Sequence, residues 1–90
     1  MKHGDFLFGE EFQCGDLTYK VTDIGTRTII AIRVDEVLIE RFRAGMVTPV
    51  KQTLKRSEAE EQGWFNGPPY AVEETVFDEN DIEECSTVGQ

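Results

Sequence analysis

Three aromatic side chains close together in the sequence are the residues best suited to molecular recognition. Trp64, Phe65 and Tyr70 lie within seven positions, in a loop that also holds two glycines and two prolines. Aromatic side chains on a stiff loop offer a large contact area at a low cost in conformational entropy, and Trp and Tyr often anchor interfaces. In a small β-barrel, such a loop can instead fold back and plug the open end. Both interpretations stay open, and they are compatible if the plug surface is also a dimer face.

The charged residues are segregated along the chain. All nine Lys and Arg residues lie in the first 56 positions, and the last 34 positions carry ten acids and no base, so that the formal net charge is −9. An anionic segment repels phosphate and anionic lipid and attracts basic surfaces. We therefore expect a basic protein partner, no direct contact with nucleic acid and no membrane. The acids expected to steer such a partner are Glu73, Glu74, Asp78, Glu79 and Asp81.

Basic side chains on the predicted strands could orient charged groups. Arg41 and Arg43 are candidates for contacting a partner or ligand, and Arg33 or Arg41 could grip an anionic small molecule. A patch of such residues could also read nucleic acid, but a pI of about 4.4 is opposite to the net positive charge typical of that class. The reverse arrangement fits the sign of the charge, since the anionic segment could occupy the nucleic-acid-binding surface of another protein.

The sequence contains no recognisable catalytic, cofactor-binding or metal-ligating motif. It has no Gly-rich phosphate loop, and its acidic run from 78 to 83 places Ile82 and Glu83 where a calcium loop requires an acid or amide and a glycine. The single histidine, His3, has no partner nearby in the sequence, and Glu73 and Glu74 would point to opposite faces of a strand. We therefore expect no catalytic residue, no cofactor and no metal.

Two cysteines, Cys14 and Cys85, are too few for a disulfide framework. We expect both to be thiols that behave as small, partly buried hydrophobic residues. A redox pair is disfavoured because the two are far apart in the sequence, and because the neighbouring Glu83 and Glu84 would be expected to raise the pKa of Cys85 rather than lower it.

Ninety residues form one domain with a modest core, for which we expect frayed ends at 1–4 and 86–90. No run of 18 apolar residues could span a membrane, and the N-terminus is too short and too acidic for a signal peptide. The expected location is therefore the cytoplasm. An apolar face left over from folding would favour a homo-oligomer, a dimer or larger.

Alternation of apolar and polar residues predicts a three-stranded meander between Glu11 and Val34. Leu17, Tyr19 and Val21 would share one strand face, and Gly15-Asp16 would supply a tight turn before that strand. The run 28–34 is apolar on both faces, which is typical of a central strand covered on each side.

The second half of the chain is less regular. Residues 36–43 suit a fourth strand, with a helix as the alternative, and 46–52 are expected to form a loop because of Pro49. Ser57 and Glu60 form a capping-box pattern for one short helix, and 70–77 alternate as a fifth strand. These elements predict a mainly β fold: a small SH3-like barrel or a strongly curved antiparallel sheet, with one short helix. An OB-like barrel ranks below the SH3-like barrel. The alternative is an α+β fold in which 36–43 are helical.

The run GWFNGPPYAVEETVFDENDIEEC, from Gly63 to Cys85, resembles the C-terminal part of small uncharacterised bacterial proteins, some of them of mobile gene-cassette type. The shorter run VTDIGTR supports the same resemblance. It implies a stand-alone cytoplasmic protein of this length that self-associates, and it implies no activity.

The function expected from these observations is that of a non-enzymatic interaction protein, a small acidic self-associating β domain that contacts partners through the aromatic loop. One alternative is a small-molecule binder or minor enzyme with a pocket at a subunit interface. The other is an acidic inhibitor of a nucleic-acid-binding protein.

Overall fold

The computed structural model describes residues 1–41, 45, 48 and 50–88, and for Glu40, Arg41 and Val50 it describes the backbone alone. Within these residues the chain is mainly β, as predicted, with seven strands, two short helices and a 3-10 turn at His3–Asp5. The strands are β1 (Glu11–Cys14), β2 (Leu17–Ile24), β3 (Ile29–Arg33), β4 (Glu36–Arg41), β5 (Val50–Lys55), β6 (Glu74–Phe77) and β7 (Cys85–Thr87). The helices are α1 (Arg56–Glu61) and α2 (Glu79–Glu83).

Five of the strands form one antiparallel sheet in the order β6-β3-β2-β1-β7. The predicted meander is confirmed, and Gly15 adopts the positive φ, 63°, that its tight turn requires. The pairing of β2 with β3 shifts register between Val21 and Asp23, and a bulge of this kind bends a sheet. The sheet does not close into a barrel, because the short strands β6 and β7 pair with β3 and β1 at opposite edges and not with each other. The curved-sheet form of the prediction is the one compatible with this topology.

The strands β4 and β5 form a separate two-stranded antiparallel sheet. The strand interpretation of 36–43 is therefore confirmed over Glu36–Arg41, and the helical alternative is wrong there, because Val37 and Ile39 alternate into the core while Leu38 points to solvent. The loop expected at 46–52 is wrong from Val50 onward, where β5 begins. Residues 51–53 are polar, so their sequence shows no alternation of apolar and polar residues that would predict a strand. Their strand conformation is stabilised by pairing with β4.

Two core clusters lie on opposite faces of β3. The first contains Phe12, Val21, Ile29, Ala31 and Phe77 among others, and Phe6 and Ile82 cover it. The second contains residues of β3, β4, β5, α1 and the aromatic loop: Ile32, Val34, Val37, Ile39, Leu54, Ala59 and Phe65. The prediction that the third strand is central and covered on both faces is thus confirmed, and β3 joins the two parts of the core.

Both described ends of the chain contact the first cluster. The amino group of Met1 donates hydrogen bonds to the carbonyl oxygens of Ile82, at 3.0 Å, and Cys85, at 2.9 Å. Ser86 and Thr87 pair with β1. The fraying expected at 1–4 and 86–90 stays a prediction, and 89 and 90 lie outside the described residues. Among the described residues, no helix is long and apolar enough to cross a membrane.

Candidate functional site

A groove of about 320 Å³ opens between the five-stranded sheet and the β4–β5 hairpin. We call it the hairpin groove. Its floor is formed by strands β2, β3 and β6, one wall by β4, and the other wall by the loop that follows α1. The lining residues are Leu17, Tyr19, Arg33, Glu36, Val37, Leu38, Trp64, Ala71, Val72, Glu73 and Thr75.

Strand register explains why the floor residues meet. Tyr19 of β2 lies opposite Arg33 of β3, and Thr75 of β6 lies opposite Ala31, two residues before Arg33. Opposite residues in an antiparallel sheet share a face, as do residues two apart on one strand. Four residues therefore project from the same side of the sheet, where they border the groove together with β4: Leu17, Tyr19, Arg33 and Thr75.

The end of α1 places Trp64 in the wall of the groove. Gly63 has a φ of 78°, its N–H donates to the carbonyl of Glu60 at 3.2 Å, and the N–H of Trp64 donates to the carbonyl of Ala59 at 3.0 Å. This is the hydrogen-bond pattern of a Schellman motif, in which glycine supplies the left-handed residue. Trp64 then packs against the second cluster, its indole N–H donates to the side chain of Gln62 at 3.1 Å, and it stays half-buried.

Replacing Gly63 by Ala should destabilise the protein and disturb the groove together. A Cβ at this left-handed position costs about 1–2 kcal/mol. The replacement should also displace Trp64, the single tryptophan of the chain, so its emission should shift to the red. Unfolding in denaturant, followed by tryptophan fluorescence, measures both effects. The control is Gly4→Ala, since a Cβ at Gly4 would meet no atom within 4 Å; equal effects from both variants would contradict the role assigned to Gly63.

The other two aromatic residues lie elsewhere in the loop. Phe65 is 7% exposed and belongs to the second cluster, so most of its ring is buried in the core. Tyr70 is half-buried and packs against the same cluster, after a cis peptide bond between Pro68 and Pro69. Trp64 lines the hairpin groove, whereas Phe65 and Tyr70 do not. Contact of these aromatic side chains with a partner stays a prediction, and Trp64 is the one of the three that lines this groove.

The guanidinium of Arg33, on the floor of the groove, already has two carboxylate partners. It donates to both oxygens of Asp35, at 2.7 and 3.0 Å, and to Glu36 at 2.9 Å. The hydrogen bond with Arg33 lowers the pKa of Asp35, and its counterpart raises the pKa of Arg33, so the pair stays ionised. Burial raises the pKa of the neighbouring Tyr19, so its phenol keeps its proton. Because the guanidinium of Arg33 is already paired with two carboxylates, it is poorly suited to bind an anionic ligand.

The five acids expected to steer a partner have different surroundings. Glu73 is exposed and lines the groove. Glu74 accepts a 2.7 Å hydrogen bond from the hydroxyl of Thr22, at the sheet bulge. Glu79 pairs with Arg27 across an exposed surface.

Asp78 and Asp81 form a capping box at the start of α2. Asp78 accepts the N–H groups of Asn80 and Asp81, and Asp81 accepts the N–H of Asp78. The structure thus brings Glu73 together with Trp64 in the groove, and places the other four acids outside its lining.

Two predicted site residues lie outside what the structure describes. Arg43 falls among the undescribed positions, and of Arg41 the backbone alone is described, at the end of β4. The predicted capping box at Ser57 and Glu60 is wrong in detail, because α1 begins at Arg56 with Lys55 as its N-cap and no side-chain cap. The guanidinium of Arg56 donates to Glu60 within the helix at 2.9 Å, and it joins the helix to β1 by donating to Glu11 at 2.6 and 2.7 Å.

Sequence reasoning missed Leu38, which is 67% exposed in the wall of the groove. The signal was present in Val37-Leu38-Ile39, because three consecutive apolar residues on one strand force one of them to the outer face. Nothing in the sequence indicated that Leu38 and Trp64 would line the same groove.

Comparison with protein-family models, with curated proteins and with solved structures found no match to this chain. Within the described residues, no group of three or more His, Cys, Asp or Glu side chains is placed to hold a metal ion.

Proposed function

We propose that this chain is a non-enzymatic interaction protein that binds a segment of a basic partner protein in the hairpin groove. The observation that supports this best is the pairing of an exposed apolar wall, Leu38, with a half-buried Trp64 in one groove. The segment would insert an apolar side chain between these two residues and place a flanking Lys or Arg on the acidic rim. Aromatic anchors in a partly desolvated pocket are the usual source of such affinity.

The charge around the groove supports a basic partner. Among the side chains that the structure describes, three carboxylates lie at or beside the groove, on Asp35, Glu36 and Glu73, and they outnumber the guanidinium of Arg33. The chain as a whole carries a formal charge of −9, which favours encounter with basic surfaces. This balance also favours a different protein over a second copy of this chain.

The chemistry of the lining supports binding over catalysis. The guanidinium of Arg33, which could otherwise assist a reaction, is already engaged with Asp35 and Glu36. A catalytic base or acid needs a pKa near the working pH and a free path to the substrate, whereas the raised pKa of Tyr19 and the lowered pKa of Asp35 move both groups away from neutrality. The volume of about 320 Å³ lies at the small end for ligand pockets, which suits one large side chain.

Self-association through the same groove is the second candidate. Leu7 and Phe8 are 56% and 69% exposed on the turn before β1, and they are the kind of apolar pair that the groove could take from another copy. The acids that follow them, Glu10 and Glu11, would then approach the acidic rim. Like charges oppose this docking at low salt, which is why we favour a different protein as the partner.

Tryptophan fluorescence tests the proposal, because Trp64 is the single tryptophan and lines the groove. The probes are short synthetic peptides with a central Leu or Phe flanked by Lys and Arg, matched peptides with Glu flanks, and matched peptides with a central Ala. The basic apolar peptide should change the emission saturably, and the other two should not. Binding should weaken as salt rises, because the rim charges are exposed.

A pair of matched variants locates the binding site. Leu38→Asp should weaken the basic peptide at least about tenfold, a loss of about 1.4 kcal/mol. Leu7→Asp places the same charge on an exposed leucine outside the groove and should leave the affinity unchanged. Equal binding of the acidic peptide, or a loss in Leu7→Asp and none in Leu38→Asp, would overturn the proposal. Sizing with light scattering of the same variants reports whether a second copy takes this place.

A further inference from the structure

The two cysteines, far apart in the sequence, lie directly opposite each other in the sheet. Cys14 ends β1 and Cys85 begins β7, and they are paired residues of the antiparallel ladder. Cys85 is buried in the first core cluster, and Cys14 is half-buried and packs against that cluster. Separation along the chain was one of two reasons to disfavour a redox pair, and the β1–β7 pairing removes it, while the pKa of Cys85 stays raised.

We propose that Cys14 and Cys85 form a reversible cross-strand disulfide that ties β7 to its sheet. Directly opposite residues in an antiparallel pair have Cα atoms about 4.5–5.5 Å apart. This separation lies inside the range of about 4.4–6.8 Å that disulfides span. Because paired residues also share a face of the sheet, the two sulfur atoms can bond without a change in strand register.

The oxidant is a small-molecule disulfide such as oxidised glutathione, and the reaction is two successive exchanges. The more accessible Cys14 loses its proton and attacks one sulfur of the oxidant, which releases one thiol and leaves a mixed disulfide on Cys14. Cys85 then loses its proton and attacks the Cys14 sulfur, which releases the second thiol. Two protein thiols and one small disulfide thus become one protein disulfide and two small thiols, so atoms and electrons balance.

The surroundings assign the order of the two steps. The Cys85 thiol donates toward the carbonyl oxygen of Asp81 at 3.5 Å. Burial, and after it the adjacent Cys14 thiol, raise the pKa of Cys85 to about 12. Cys85 is therefore held as a thiol, and Cys14 is the residue that meets the oxidant first.

The disulfide would add a covalent link between β1 and β7, at one edge of the sheet. β7 is a three-residue edge strand, and within the described part of the chain it pairs only with β1, through three residue pairs. With α2 it places Ile82 and Cys85 over the first cluster. Oxidation would attach β7 to β1 covalently, whereas in a reducing environment hydrogen bonds and packing alone would hold α2 and β7 in place.

The test incubates the folded full-length protein in buffers of graded oxidised and reduced glutathione, followed by alkylation of free thiols and mass spectrometry. The expected product has lost two hydrogens, takes up no alkylating agent and yields one cross-linked peptide containing both cysteines. Its melting temperature should rise by at least about 8 °C over the reduced protein, and dithiothreitol should reverse both changes. Because a variant of buried Cys85 could fail to fold, the control is Cys14→Ser, which should show neither the cross-link nor the rise.

Three outcomes would overturn the proposal. The first is a glutathione adduct on Cys14 that never proceeds to the cross-link, and the second is disulfide-linked dimers in its place. The third is a cross-link that forms in urea but not in the folded protein, which would show that the native pairing does not hold the two sulfur atoms in reach.

Discussion

Replacing Phe12 by Ala is expected to lower the free energy of unfolding by about 3–5 kcal/mol. Phe12 is 1% exposed at the centre of the first cluster. Its ring lies 4.9 Å from that of Phe6 and 5.3 Å from that of Phe77, both edge-on, and stacks on Tyr19 at 5.6 Å. Removing the ring leaves a cavity between residues of β1, β2 and β6, and these strands could close it only by giving up backbone hydrogen bonds within the sheet.

A loss of this size approaches the lower end of the stability expected of a folded domain, about 5–15 kcal/mol. Chemical denaturation followed by circular dichroism measures it. The matched control is Phe8→Ala, because Phe8 is 69% exposed and its removal should change stability by no more than about 0.5 kcal/mol. Equal losses in the two variants would show that Phe12 is not the centre of the core.

Leu54→Ala should cost about 2–5 kcal/mol and should also disturb the hairpin groove. Leu54 is buried in the second cluster and lies opposite Val37 in the β4–β5 pair. Val37 and its neighbour Leu38 line the groove, so a cavity beneath them moves one of its walls. Stability and groove geometry should therefore change together in this variant.

The control for Leu54→Ala is Leu38→Ala, on the outward face of the same hairpin. It should leave stability within about 0.5 kcal/mol and weaken the binding of a basic apolar peptide. Denaturation and Trp64 fluorescence separate the two effects. Equal stability losses would contradict the assignment of Leu54 to the core and of Leu38 to the exposed wall of the groove.

Local patterns in the sequence were enough to predict the first three strands and the position of β3. Leu17, Tyr19 and Val21 alternate with polar residues, Gly15 supplies the turn, and the run 28–34 is apolar on both faces. These signals are local, since strand periodicity and turn chemistry act between neighbouring residues. The polar strand β5 escaped the same reasoning, because its pairing with β4 depends on the backbone and leaves little trace in the side chains.

The site was predictable only in part, for the same reason. Trp64 was identified from its type and its stiff loop, and Glu73 from its charge. Their meeting with Leu38 depends on where the β4–β5 hairpin sits against the sheet, and no short-range spacing encodes that placement.

By itself, the sequence determined the mainly β class, the meander, the segregation of charge and the presence of an aromatic loop, because each follows from composition or from residues close in the chain. The tertiary structure decided that the sheet stays open, that Phe65 enters the core while Trp64 lines a groove, and that Cys14 meets Cys85. Each of these depends on which distant strands pair, and strand pairing between distant segments is settled by the packing of the whole core.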